Sequence, residues 1–169
     1  MSNKKNAAAW KNKQKIVAGS GFEQFLFYFW QFTWGLPVNL VGFIVWVICK
    51  LRHRPTERFC NSFITYIQKK NFGGLSLGLF IFIDGKTNNQ DWLYDTRIHE
   101  YGHTIQCLLL GALYYPVVAI PSAIWCNFFN GWRKKNNVDY YRLYCESWAN
   151  AWGQKWSGLS QRYKLRKAK

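Results

Sequence analysis

Residues 95–107 read Asp-Thr-Arg-Ile-His-Glu-Tyr-Gly-His-Thr-Ile-Gln-Cys, and the reading of His99, Glu100 and His103 within them decides what kind of fold to expect. On a helix, residues four apart share a face, with Cβ atoms about 5–6 Å from each other. Both imidazoles then reach one zinc ion, and Glu100, one position along, projects toward the open coordination position, where a carboxylate can accept a proton from water held by the metal. The chain has three histidines in 169 residues, so chance supplies this H-E-x-x-H spacing on the order of once in a thousand such chains.

Two histidines leave a catalytic zinc site short of its third protein ligand. His53, the remaining histidine, stands between Arg52 and Arg54. Two adjacent cations disfavour a dication there, and a place at the level of lipid headgroups is expected. The carboxylates downstream are Asp139 and Glu146. Glu146 sits in Tyr144-Cys-Glu-Ser-Trp-Ala-Asn150, a segment with helical spacing. Asn150, one turn on, is placed to orient a metal-bound imidazole from behind. The expected ligand set is His99, His103 and Glu146 holding Zn2+, with Glu100 as general base. Cys107, one turn beyond His103, is expected to be a small buried apolar residue. The five cysteines are odd in number and never at C-x-x-C spacing, which points to neither a disulfide framework nor a thiolate zinc site.

Outward from the metal helix, composition points to a membrane. Aromatics make up 20% of the residues, and Phe25 to Cys49 runs without a charged side chain, longer than the roughly 20 apolar residues that span a bilayer as a helix. Lysines and arginines flank it on both sides. The expectation is an uncleaved membrane helix over 25–49, interrupted at Gly35 and Pro37 either by a kink or into two shorter interfacial segments, in which Gln31 and Asn39 seek partners inside the protein. A net charge of +15 on such a chain implies contact with anionic lipid headgroups, each basic residue near the surface contributing about 1 kcal/mol. Nucleic acid is not an expected partner, because the aromatics lie within apolar runs and are not interleaved with the basic residues.

The expected organisation is a basic flexible lead (1–20), a single membrane-associated domain (21–158) and a basic tail (159–169). Within the domain, 50–72 reads as a short amphipathic helix on a surface. Leu75–Ile83 reads as a strand beside the metal helix, with a free edge that an extended peptide can pair with. The metal helix is expected from about Asp95 to Tyr114, capped by Asp91 or Asp95. A final helix covers Asp139 to Trp156. If residues 104–128 crossed the bilayer, His103 and Glu146 would stand about 30 Å apart. A shared ion therefore requires 108–129, broken by Pro116 and Pro121, to be re-entrant or interfacial.

The chain resembles a group of small, functionally uncharacterised bacterial membrane proteins that carry a zincin signature. The matching stretches are Ser76-Leu-Gly-Leu-Phe-Ile-Phe-Ile83, His99-Glu-Tyr-Gly-His-Thr-Ile-Gln106, Gly111-Ala-Leu-Tyr114, Ile120-Pro-Ser122 and Glu146-Ser-Trp-Ala-Asn150. More broadly it is similar to gluzincins, in which a glutamate on a downstream helix completes H-E-x-x-H. The resemblance implies a mainly α, zincin-like fold with a short β-strand or hairpin beside the metal helix, and a place in the bacterial cytoplasmic membrane. It also implies metal roles for His99, His103 and Glu146 and a base role for Glu100. The chain departs at Asn150, where an aspartate is expected. The expected activity is zinc-dependent hydrolysis of a peptide or protein substrate. The alternative is a non-catalytic membrane protein whose metal site is structural and whose surface binds a partner or lipid.

Overall fold

A computed structural model describes residues 19–162; most of the expected basic lead and tail lies outside them. The described chain is mainly helical with one four-stranded sheet. Helix α1 (Gly21–Thr33) begins at Ser20, whose hydroxyl and the Glu23 carboxylate satisfy each other's backbone N–H groups, a reciprocal cap. Helix α2 (Leu36–Leu51) follows after a bend of 91°.

Of the two forms expected for 25–49, a kinked helix or two shorter segments, the structure has the second. Pro37 has no N–H and its ring collides with the carbonyl four residues back, so the chain turns at Trp34-Gly35. Asn39 takes up the carbonyls freed by the turn, its Nδ2 donating to Gln31 O, Gln31 Oε1 and Gly35 O at 2.7–2.9 Å. At 1.5 Å per residue the two helices are about 20 and 24 Å long, each short of the roughly 30 Å hydrocarbon core. No single helix among the described residues is long and apolar enough to cross a bilayer, although the bent pair taken together is.

The two amides of this apolar run do find partners inside the protein. Gln31 Nε2 donates to Thr104 O at 3.1 Å, and Asn39 Oδ1 accepts from Leu79 N at 2.8 Å. They tie α1 and α2 to the helix that carries H-E-x-x-H and to a hairpin turn.

The sheet has the order β1-β2-β4-β3, with β1 Thr56–Phe59, β2 Ser62–Ile67, β3 Gly74–Leu77 and β4 Phe80–Asp84. Its central pair, β2 and β4, is parallel and the outer pairs are antiparallel. Two expectations change here. Residues 50–72 hold the β1–β2 hairpin and not a surface helix, because their β-branched and aromatic side chains pack on a pleated surface. The strand expected over 75–83 is itself a hairpin that turns at Gly78, where φ is +67° and a Cβ would overlap the Asn39 amide.

The sheet is covered on both faces. Ile64, Ile81 and Ile83 meet Ile98, Tyr101 and Ile105 on one side, while Leu79, Phe80 and Phe82 meet Val45, Trp46 and Cys49 on the other. All five residues of β4 are buried, which is why it reads as a continuous apolar run without alternation.

Helix α3 (Gln90–Leu110) carries H-E-x-x-H. It starts earlier than expected, at Asn89, whose Oδ1 accepts from Trp92 N at 3.0 Å; neither Asp91 nor Asp95 is the cap. It also ends earlier than the expected Tyr114, at Leu110, because Gly111 takes a positive φ of +56° and caps it. A 3-10 turn (Gly111–Leu113), a π-helical turn (Tyr115–Ala119), α4 (Ile120–Asn127), α5 (Asn130–Lys135) and a second 3-10 turn (Tyr140–Arg142) lead to α6 (Tyr144–Ser157). Helix α6 lies against α3, so the segment between them returns the chain to the H-E-x-x-H helix.

Candidate metal centre

The crossing of α3 and α6 is unusually close because glycine stands at the contact on each helix. A Cβ on Gly102 would overlap the backbone of Ala149, and one on Gly153 would overlap the carbonyl of Ile98. This approach puts Glu146, in the first turn of α6, against the histidine face of α3. His99, Glu100, His103 and Glu146 are all buried.

Three atoms converge at the crossing. Glu146 Oε2 stands 3.0 Å from His99 Nε2 and 3.5 Å from His103 Nε2, and the two Nε2 atoms are 3.2 Å apart. Bonds of about 2.0–2.1 Å to a tetrahedral zinc imply ligand atoms about 3.3 Å apart. These residues form a buried group that could hold a metal ion.

The hydrogen bonds behind the imidazoles say which ring nitrogens face the crossing. Gln106 Nε2 donates to the Cys145 carbonyl at 2.7 Å, and a carbonyl can only accept. Gln106 Oε1 is then the atom 2.6 Å from His103 Nδ1, so Nδ1 carries the proton and Nε2 presents a lone pair. His99 Nδ1 likewise faces Asn150 Oδ1 at 2.9 Å. Two imidazole lone pairs and a carboxylate oxygen thus point at one another, and apart from these imidazoles no donor reaches Glu146 Oε2. Buried acceptors in mutual contact repel unless a cation or a proton lies between them. The donor set fits a metal ion.

The same contacts shift the acidities of the groups at the crossing. Burial pushes the His103 imidazole down, but the Glu146 carboxylate beside it outweighs burial and raises it above the ordinary histidine value. Burial likewise pushes Glu146 up, and the hydrogen bonds and charges of His103 and His99 hold it well below the carboxylate range. Glu100 is raised, first by burial, against the pull of both histidines and with the push of Glu146. Its Oε2 also has no hydrogen-bond partner.

A cavity of about 630 Å³ opens over this group. Its floor is His99, Glu100 and His103; Gly73 to Ser76 form one wall and Ala119, Ser122, Ala123 and Cys126 the other, with Tyr140 and Tyr141 at the side. The strand β3 is the sheet's edge. Gly73 O accepts from Asp84 N across the β3–β4 pair, so by alternation the Gly74 and Ser76 peptide groups face outward. The Ser76 carbonyl receives the Tyr114 hydroxyl at 3.1 Å. Gly74 presses on the general-base candidate: a Cβ there would overlap the Glu100 carboxylate.

The structure brings His99, His103, Glu146, Glu100 and Asn150 together. His53 lies exposed in the turn after α2 and outside the cluster, and Cys107 is packed with Val38, Tyr114, Val118 and Cys145. Of the tyrosines downstream, Tyr140 and Tyr141 line the cavity, and the Tyr141 ring is 5.1 Å from that of His99. Tyr144 is half-exposed and donates its hydroxyl to the Val117 carbonyl. Sequence reasoning missed Gln106, Gly102, Gly153 and Gly74. A glycine inside a helix was the one available signal, since Gly102 costs helix stability and therefore marks a close approach. Comparison with protein-family models, with curated proteins and with solved structures finds no significant match to this chain.

Proposed function

We propose that the chain is a membrane-bound zinc metallopeptidase. The observation that carries this reading is the convergence of two imidazole lone pairs and the Glu146 carboxylate on one point, beside the buried Glu100 and inside a cavity walled by a strand edge. His99, His103 and Glu146 hold the ion. Zinc supplies a Lewis acid and lowers the pKa of water to about 7.

The remaining steps belong to the protein. An extended peptide lies along the outer edge of β3, with the Gly74 peptide groups in reach of its main chain. Glu100 accepts the proton of the attacking water and passes it to the departing amine. Its burial favours the protonated form that this second transfer needs. Tyr141, beside His99, is placed to donate a hydrogen bond to the oxygen on which charge develops. The Tyr144 hydroxyl, by contrast, is committed to the Val117 carbonyl.

Membrane attachment rests on the surface of the bent pair. Phe22, Phe25, Trp30, Leu40, Ile44 and Leu51 are exposed on α1 and α2, and Ile120, Ile124 and Phe128 are exposed around α4. Soluble proteins rarely show so much contiguous apolar surface. Two short helices at a right angle suit insertion into one leaflet, with Arg52, Arg54 and Arg133 to Lys135 near anionic headgroups. On that topology the segment 108–129 lies at the interface and keeps His103 and Glu146 on one side.

The test is hydrolysis of a quenched-fluorescent peptide library by detergent-purified protein. Cleavage should vanish on treatment with a zinc chelator and return when zinc is restored. Cleavage that survives complete zinc removal would contradict the reading.

A further inference from the structure

We propose that Gln161, near the end of the described chain, is a positioning residue for the metal ligand His99, acting through Asn150. The inference rests on the metal reading above. A backbone carbonyl can only accept a hydrogen bond. Gln161 Nε2 donates to Asp95 O at 3.1 Å, which identifies that end of the Gln161 amide as its NH2 group. The same NH2 lies 2.8 Å from the Asn150 side chain, so the Asn150 atom there must be its oxygen. That oxygen is also the one 2.9 Å from His99 Nδ1. His99 Nδ1 then carries the proton, and the Nε2 lone pair is turned to the crossing.

The relay matters because residue 150 is an amide. A carboxylate presents an acceptor whichever way it is turned, but an asparagine turned over would offer NH2 to Nδ1 and demand the opposite tautomer. The lone pair would then leave the metal face. Gln161 removes that alternative, as Gln106 does for His103 from the Cys145 carbonyl. Gln161 is itself held from two sides: its N–H donates to Gln154 Oε1 at 3.1 Å, and the next residue, Arg162, donates its N–H to Asp95 Oδ1 at 2.7 Å. The segment after α6 thus braces the back of the metal centre from outside the H-E-x-x-H helix.

The experiment is a zinc titration against a chromophoric chelator, with the visible spectrum of the cobalt-loaded protein as second readout. It compares wild type, Gln161→Ala, Gln161→Met, Asn150→Asp and the double variant Asn150→Asp with Gln161→Ala. Loss of an outer partner of a metal-bound histidine typically weakens metal binding about 10–100-fold. Gln161→Ala and Gln161→Met should each weaken zinc by about tenfold or more and alter the cobalt spectrum. In the Asn150→Asp background the Gln161 substitution should change affinity by less than about twofold, because the acceptor no longer needs orienting. Unchanged affinity in both single variants, or an equal loss in both backgrounds, would overturn the relay. A wild type that takes up no zinc would overturn the metal reading itself, and the relay with it.

Discussion

Glu100→Gln should leave zinc in place and lower peptide hydrolysis by about 10²–10⁴-fold, the usual contribution of a positioned general acid–base group. Glutamine keeps the shape and burial of Glu100 but cannot take a proton. Glu100 is not one of the three residues that could hold the ion, so the candidate donors are untouched. Gly74→Ala approaches the same group from the strand. A methyl there overlaps the Glu100 carboxylate, and either β3 or the base must shift. A misplacement of about 1 Å near the reacting atoms costs around 10²-fold. Both variants should therefore bind zinc like wild type and hydrolyse poorly. A Glu100→Gln protein that cleaves at the wild-type rate would remove Glu100 from the mechanism.

Gly102→Ala should destabilise the fold and release the metal. The substitution gains up to about 1 kcal/mol of helix propensity, but the new methyl meets the Ala149 backbone, which cannot rotate away as a side chain can. Overpacking of this kind costs roughly 1–3 kcal/mol, and relief comes only by parting α3 from α6. Those helices carry the histidines and Glu146 respectively, and metal sites tolerate ligand shifts of only about 0.2 Å. Zinc should be lost even from molecules that remain folded. Gly131→Ala on α5, where a Cβ meets nothing within 4 Å, is the contrast and should keep the metal content unchanged with no loss of stability. Zinc retained in folded Gly102→Ala would show that the close crossing does not set the site.

The parts of the site that a sequence displays are those set by local spacing. His99 and His103 share a helix face by position alone, and Glu146 stood out because few carboxylates competed for the role. Asn150 followed one turn later. What stayed hidden is long-range. Gln106 and Gln161 acquire their roles from the carbonyls of Cys145 and Asp95, and no local pattern names those acceptors. The same limit explains the β1–β2 hairpin. Phe59, Phe63, Ile64, Tyr66 and Ile67 fit a helical period, and since the sheet is covered on both faces, β2 lacks the alternation that marks a half-buried strand. The bend in the first apolar run was signalled by Gly35 and Pro37, but its angle depends on where Asn39 and Gln31 find partners.

If α3 and α6 together hold one metal ion, the metal content of the detergent-purified protein shows it independently of activity. Wild type should carry about one zinc per chain, and both His103→Ala and Glu146→Ala should lose or greatly weaken it. A folded wild type without bound metal, or a Glu146→Ala protein that keeps zinc at wild-type affinity, would contradict the account.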